Sequence, residues 1–214
     1  MLTLQCVMRG LRGCGLDKIF GESQNNSRPE GLRLWLHELT LTKEGALTWW
    51  GTECSSFSSM CKFNSQRSHD NMYLGFPGND DSSFVYRGNL QMTITSLMLF
   101  LSHLLRNACV LEQPLGSVMP LAPPLSTVLS FIGAQRQVTW HSAFGAPSAK
   151  PFQLLSNRAQ ITAMQRQKPK HKATIDLVRK DESGSYSGIS KNLKSSQAYT
   201  AEFAKAVCAA FFGQ

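Results

Sequence analysis

Apolar residues recur at helical spacing in five stretches of the chain and gather into short unbroken runs between them. Leu4, Val7 and Leu11 predict a helix over Thr3–Leu16, ended by Gly13 and Gly15, and Lys18–Phe20 reads as a short strand. After a polar loop over Ser23–Pro29, Leu32, Trp35, Leu36 and Leu39 fall on one face of a helix over Gly31–Leu41. Ala46–Trp50 is a buried strand closed by Gly51. Gly88–Asn107 carries Leu90, Ile94, Leu97, Met98, Leu101, Leu104 and Leu105, a wide apolar face on the longest helix. A second buried strand, Ala108–Leu111, runs straight on into Glu112, Gln113 and Pro114. Leu121–Gly133 is helical, and Val138–Ala143 and Phe152–Leu155 are strands joined by the tight connection Phe144-Gly145-Ala146-Pro147.

Strands that alternate with helices in this way predict an α/β fold, a mostly parallel sheet with helices on both faces. The body spans 1–157. A basic, polar, poorly packed insert over 158–198 follows, and Thr200 caps a final helix within 199–214 that packs back on the body through Phe203, Ala206, Val207, Ala210 and Phe211. Cys54–Ser83 is crowded with Ser, Asn, Asp and Gly, and a connection of about thirty residues without structure of its own is usually functional.

Composition narrows the classes. Hydrophobic residues make up 42% of the 214 and charged residues 17%, an ordinary folded mix. The apolar run Leu97–Leu105 is about half a membrane span and reads as a buried helix, so no membrane partner is expected. No leader pattern opens the chain, which places it inside the cell, in nucleus or cytoplasm, with reduced thiols. The six cysteines form no Cys-x-x-Cys pair and have no His at zinc spacing, so no metal is expected. Net charge is +8, and between Glu112 and Asp176 there is no acid to oppose Arg136, Lys150, Arg158, Arg166, Lys168, Lys170 and Lys172. Such a block attracts polyanions, nucleic acid first among them.

Three motifs stand where predicted strands end: Trp50-Gly51-Thr52-Glu53-Cys54-Ser55-Ser56-Phe57-Ser58, Val110-Leu111-Glu112-Gln113-Pro114, and Phe144-Gly145-Ala146-Pro147. In this order and spacing, over roughly 31–157, they resemble the DNA cytosine-5 methyltransferase family: its Pro-Cys loop with Phe-Ser after the Cys, its strand ending Glu-Asn-Val, and its Tyr-Gly-Val-Pro turn. The resemblance implies a Rossmann-like methyltransferase fold and methyl transfer from S-adenosylmethionine to cytosine in DNA. Cys54 would be the thiolate that adds to carbon 6 of a flipped-out base, and Glu112 the carboxyl that holds the ring nitrogen and amine during attack. Ser55, Gln113 and Lys150 would lie on the base side, Glu22 and Thr52 on the cofactor side.

The sequence also departs from that pattern. Glu53 stands where the family has Pro, and a carboxylate beside a thiol disfavours the thiolate. Of the arginines that follow the family's Gly-Val-Pro turn, only a charge survives, at Lys150. The strand and glycine loop that cradle the cofactor would precede Met1, and Gly10, Gly13 and Gly15 are a weak substitute. The expectation is therefore a divergent or truncated relative, weak or inactive. A non-catalytic nucleic-acid-binding module using the basic 113–175 surface and a decayed gene product without function are the alternatives.

Overall fold

The first described helix, α1 (Pro29–Thr40), begins with a proline at its first turn, where the missing N–H costs nothing. It turns Leu32, Trp35, Leu36 and Leu39 toward Ile94 and Met98, as the apolar spacing predicts. This computed structural model describes residues 15–16, 21–76, 83–169, 178–180, 186–188 and 199–213. The predicted helix over Thr3–Leu16 and strand over Lys18–Phe20 lie outside them, except for Gly15 and Leu16.

The principal sheet has four strands: β1 (Leu47–Trp50), β2 (Ala108–Pro114), β3 (Gln135–Trp140) and β4 (Pro151–Ser156), in the order β1-β2-β4-β3. Only β1 and β2 run parallel, with Leu47 opposite Ala108 and Trp50 opposite Leu111. The sheet is otherwise antiparallel, which corrects the expectation of a mostly parallel, Rossmann-like sheet. Connection length explains the difference. Parallel neighbours need a crossover of about a dozen residues or more, whereas β3 and β4 are joined by the short segment 141–150, closed by the His141 N–H on the Lys150 carbonyl at 3.0 Å.

The chain divides into two units. One consists of Gly15–Arg136 with Leu154–Ala159 and holds α1, β1, β2, the end of β4, α2 (Phe84–Leu104) and α3 (Pro123–Phe131). Its core joins Phe57, Met92, Leu99, Cys109, Leu111, Met119, Leu125 and Leu155. Asn157, just past β4, clips the start of β2 by accepting from the Cys109 N–H at 2.9 Å and donating to the Asn107 carbonyl at 2.9 Å.

Helix α2 begins four residues before the predicted Gly88, at a cap where the Ser83 hydroxyl accepts from the Tyr86 N–H. Its buried face is also rotated from the predicted one. Leu97 and Leu104 are 42% and 55% exposed, while Thr95, Ser96 and Ser102 are buried. Each of these three hydroxyls donates to the carbonyl four residues back, which satisfies it inside the core and frees the leucines to face outward.

The other unit includes Gln137–Gln153 and the described residues from Gln160 onward. Here Thr200 caps α4 (Ala201–Phe212) as predicted, accepting from the Phe203 N–H at 3.1 Å. The helix buries Phe203, Ala204, Val207 and Cys208, and Phe203 meets Phe144 edge-on at 5.1 Å and stacks on Tyr199 at 4.9 Å. The expected insert is better packed at its start than its polarity suggests. Ile161 and Met164, in the 3-10 turns Ala159–Met164, are fully buried, and β5 (Val178–Lys180) pairs antiparallel with β6 (Tyr186–Gly188).

Candidate functional site

Parallel pairing of β1 with β2 sends the chain out of both strands at the same end. Gly51 follows Trp50 level with Glu112, and Thr52 comes level with Gln113. Open α/β sheets place their sites at this carboxyl end of parallel strands. Along β2, Leu111 and Gln113 face the core of this unit, and the strand's two-residue period turns Glu112 to the opposite face, half-buried with its Oε1 shielded from solvent.

The Cys54 loop carries short helical turns over much of its described length, Cys54–Phe76, a correction to the structureless loop predicted there. Short 3-10 turns, Ser55–Phe57, Ser59–Cys61 and His69–Asn71, and a one-turn helix, Lys62–Ser65, follow one another. Cys54 itself precedes the first turn, half-buried and in no disulfide, and its carbonyl accepts from the Phe57 N–H. Beyond it, the Phe57 carbonyl accepts from the Val118 N–H at 3.0 Å and the Ser59 N–H donates to the Gly116 carbonyl, which fastens this loop to the one that leaves β2.

Arg67 holds the loop together. It is 3% exposed, and its guanidinium lies 3.5 Å from the centre of the Phe57 ring. Nε donates to the Ser56 carbonyl, Nη2 to the Ser56 hydroxyl and the Val85 carbonyl, and Nη1 to the Tyr73 carbonyl and Asn89 Oδ1. No acid is among these partners, and burial pushes the guanidinium down to about 10. Gly88 on α2 makes the approach possible, because a Cβ there would stand 2.1 Å from the Ser56 hydroxyl and 3.1 Å from Arg67 Nη2. Three non-glycine residues in this loop, Gln66, Met72 and Tyr73, adopt left-handed backbone, a strain that persists where surroundings impose it and that gathers at working sites.

The residues named from sequence fare unequally. Cys54 and Glu112 come to the same end of adjacent strands. Ser55 is exposed and donates to Glu53 Oε1 at 3.1 Å, so the residue in the proline position ties down the loop's own hydroxyl. Gln113, expected to meet the base, is fully buried. Its amide donates to the Thr52 carbonyl at 2.8 Å and its Oε1 accepts from Ser117, which makes it a clip between the two loops. Thr52, expected to meet the cofactor, shares a 2.7 Å hydrogen bond with the Thr95 hydroxyl on α2. Glu22 pairs with Arg28 at 2.8 Å and accepts from Asn25 at 3.3 Å on an exposed turn. Lys150 belongs to the other unit, where its carbonyl closes the β3–β4 connection.

The two residues assigned to S-adenosylmethionine thus make hydrogen bonds within the protein, Glu22 on an exposed turn and Thr52 to α2. Arg67, Thr95 and Asn89 were missed from sequence, because nothing in a Ser- and Asn-rich stretch marks one arginine as buried. Cys109 is no rival nucleophile: burial pushes its thiol up to about 11. Among the described residues no group of His, Cys, Asp and Glu could hold a metal ion, and no helix is long and apolar enough to cross a membrane. Comparisons of the chain with protein-family models, with curated proteins and with solved structures give no match.

Proposed function

We propose that the unit carrying Cys54 and Glu112 is a divergent DNA cytosine-5 methyltransferase-like module that supports the base-activating half of that chemistry and little or no methyl transfer. The observation that carries this reading is the parallel register of Trp50 with Leu111, which brings the Cys54 loop and Glu112 to one end of adjacent strands. In the addition step the Cys54 sulfur forms a bond to carbon 6 of cytosine while Glu112, protonated, donates to the ring nitrogen and takes up the charge that develops there. Carbon 5 then gains a proton from water; the hydroxide so formed takes the original carbon-5 hydrogen as a proton while the carbon 6–sulfur bond breaks, and the ring nitrogen returns its proton to Glu112. Methyl transfer is expected to be weak, because Glu53 disfavours the thiolate at Cys54 and only Lys150 keeps a charge where the family has arginines.

The test uses DNA carrying tritium at carbon 5 of cytosine, without S-adenosylmethionine. Slow tritium release that is lost in Cys54→Ser and in Glu112→Gln is the expected result. Release that is absent, or equal in all three proteins, overturns the reading. Turnover of radiolabelled S-adenosylmethionine that vanishes in Cys54→Ser would overturn the loss of methyl transfer.

A non-catalytic nucleic-acid surface is the second reading, favoured by a specific observation in the other unit. Arg166 stands over the buried Phe144 ring at 5.5 Å and Lys168 over the Trp140 ring at 5.3 Å, which holds two exposed cations of the basic block where phosphates can reach them. Of the predicted basic block, Arg136 and Arg158 fall in the first unit, Lys150, Arg166 and Lys168 in the other, and Lys170 and Lys172 lie outside the described residues. Binding through phosphates requires log affinity to fall with log salt at about −0.7 to −0.9 per contact, and a flat dependence excludes it.

A further inference from the structure

At the end of the sheet opposite the Cys54 loop, the first unit has a depression of about 330 Å³ lined by Glu44, His103, Arg106, Asn157 and Arg158. The residues come from the approach to β1, the end of α2, the entry to β2 and the exit of β4. Its floor is rigid, since Asn157 is held by both of its β2 contacts and its Nδ2 also approaches His103 Nδ1 at 3.3 Å. That contact makes Nδ1 the acceptor and leaves the His103 Nε2 proton as a donor. Arg158 donates one Nη2 hydrogen to the Arg106 carbonyl at 2.8 Å, and among the described residues its other side-chain donors have no partner.

Arg106 itself occupies an expensive place. It follows α2 in left-handed backbone, φ 58°, with the Asn107 N–H returning to the Ser102 carbonyl, the position at which helices ordinarily end on glycine. A side chain there is maintained against backbone strain, and strain of this kind points to a task for the side chain. Its partner is Glu44 at 3.3 Å, with the two side chains 76% and 69% exposed, a pair that exchanges readily with another anion.

Two guanidinium groups, a histidine and one carboxylate thus line a single open depression. One fork suffices for a carboxylate ligand. Two forks match an oxyanion that accepts on several oxygens at once, and a terminal phosphate offers three. We propose that this depression binds the terminal phosphate of a small phosphorylated ligand, which displaces Glu44 from Arg106. The proposal is independent of the chemistry assigned to Cys54. Its volume is at the lower end of the range for small-molecule sites, and its concavity favours a terminal phosphate over the diesters of a continuous strand.

Calorimetric titration of the full chain with pyrophosphate, in chloride at matched ionic strength, tests it. Arg106→Gly is the informative variant, because it removes the fork and places the preferred residue in the left-handed position, so the fold is retained and thermal denaturation verifies that. We expect Arg106→Gly to weaken binding at least roughly tenfold, the scale of one lost bidentate contact. Glu44→Gln, which removes the competing carboxylate, should tighten it, and Cys54→Ser should leave it unchanged. Absent binding, or equal affinity in wild type and Arg106→Gly, overturns the proposal. Competition by an oligonucleotide lacking terminal phosphates, at equal phosphate concentration, would show that the site reads backbone diesters and would overturn the terminal-phosphate class.

Discussion

Replacing Arg67 by methionine should unfasten the Cys54 loop, and the size of the effect follows from two opposed terms. Burial without an acid partner pushes the guanidinium well below its ordinary value, down to about 10, a desolvation cost on the order of 3 kcal/mol that methionine would not incur. Against it stand five hydrogen bonds from a charged donor, which at about 1.5 kcal/mol each contribute on the order of 7 kcal/mol. The difference, about 4 kcal/mol, is the expected loss of stability; methionine fills much of the volume over Phe57 but leaves the carbonyls of Ser56, Tyr73 and Val85 without their donor. Arg67→Lys should fall between, since an ammonium has three donors and no fork. Urea denaturation measures the loss. Maleimide labelling resolved by peptide mass spectrometry reads the loop directly, with Cys54 expected to label faster in the variant and buried Cys109 serving as reference. A loss below about 1 kcal/mol with unchanged Cys54 labelling would refute the reasoning, because the network would then be worth no more than an ordinary surface contact.

His141 gives a pH prediction in the other unit. The ring is 4% exposed, packs edge-on against Phe152 at 4.4 Å, and is pushed from 6.5 down to about 4 by burial first and Lys150 second. A folded-state value below the unfolded one means the unfolded chain binds the proton more readily, so stability is intact above about 6.5 and falls as pH drops toward 4, by up to about 3 kcal/mol. Denaturation at pH 7, 5.5 and 4 should show this loss in wild type and not in His141→Phe, and parallel pH curves would contradict it. Gly88→Ala should destabilise by about 1–3 kcal/mol despite alanine's better helix propensity, because Ser56 cannot yield the space without releasing Arg67; a stabilised variant in thermal denaturation would show the loop more pliable than described.

What the sequence revealed was largely what periodicity reports. The apolar runs at Leu47–Trp50 and Ala108–Leu111, the spacing of Leu32, Trp35, Leu36 and Leu39, and the Thr200 cap each express a local rule, and each reappears in the structure. Strand direction does not follow from periodicity, so the direction of β4 was read wrongly from the alternation of elements. The buried serines and threonine of α2 misled for a related reason: their hydroxyls are satisfied by the helix itself, which a count of apolar positions does not register. At the candidate site the motif residues Cys54 and Glu112 fall after β1 and near the end of β2, two strands that run parallel. The motif could not tell a ligand-facing Gln113 from one that clips two loops, because both roles use the same amide and differ only in what the fold brings beside it, here the Thr52 carbonyl and the Ser117 hydroxyl in the loops after β1 and β2.

The Asn157 clip has a consequence for the order in which the chain acquires structure. The first unit draws its third strand from residues 154–159, after an excursion through 137–153 that belongs elsewhere. During synthesis, β1, β2, α2 and α3 emerge well before the segment that completes them, and until then β2 presents a row of unpaired N–H and C=O groups along one side. Vectorial synthesis therefore produces an early species with an open strand edge and an uncapped entry to β2, closed only when Leu154–Asn157 arrives. A nascent chain stalled before that point is the form most exposed to aberrant strand pairing, and a chaperone or a pause in translation would matter most over that interval.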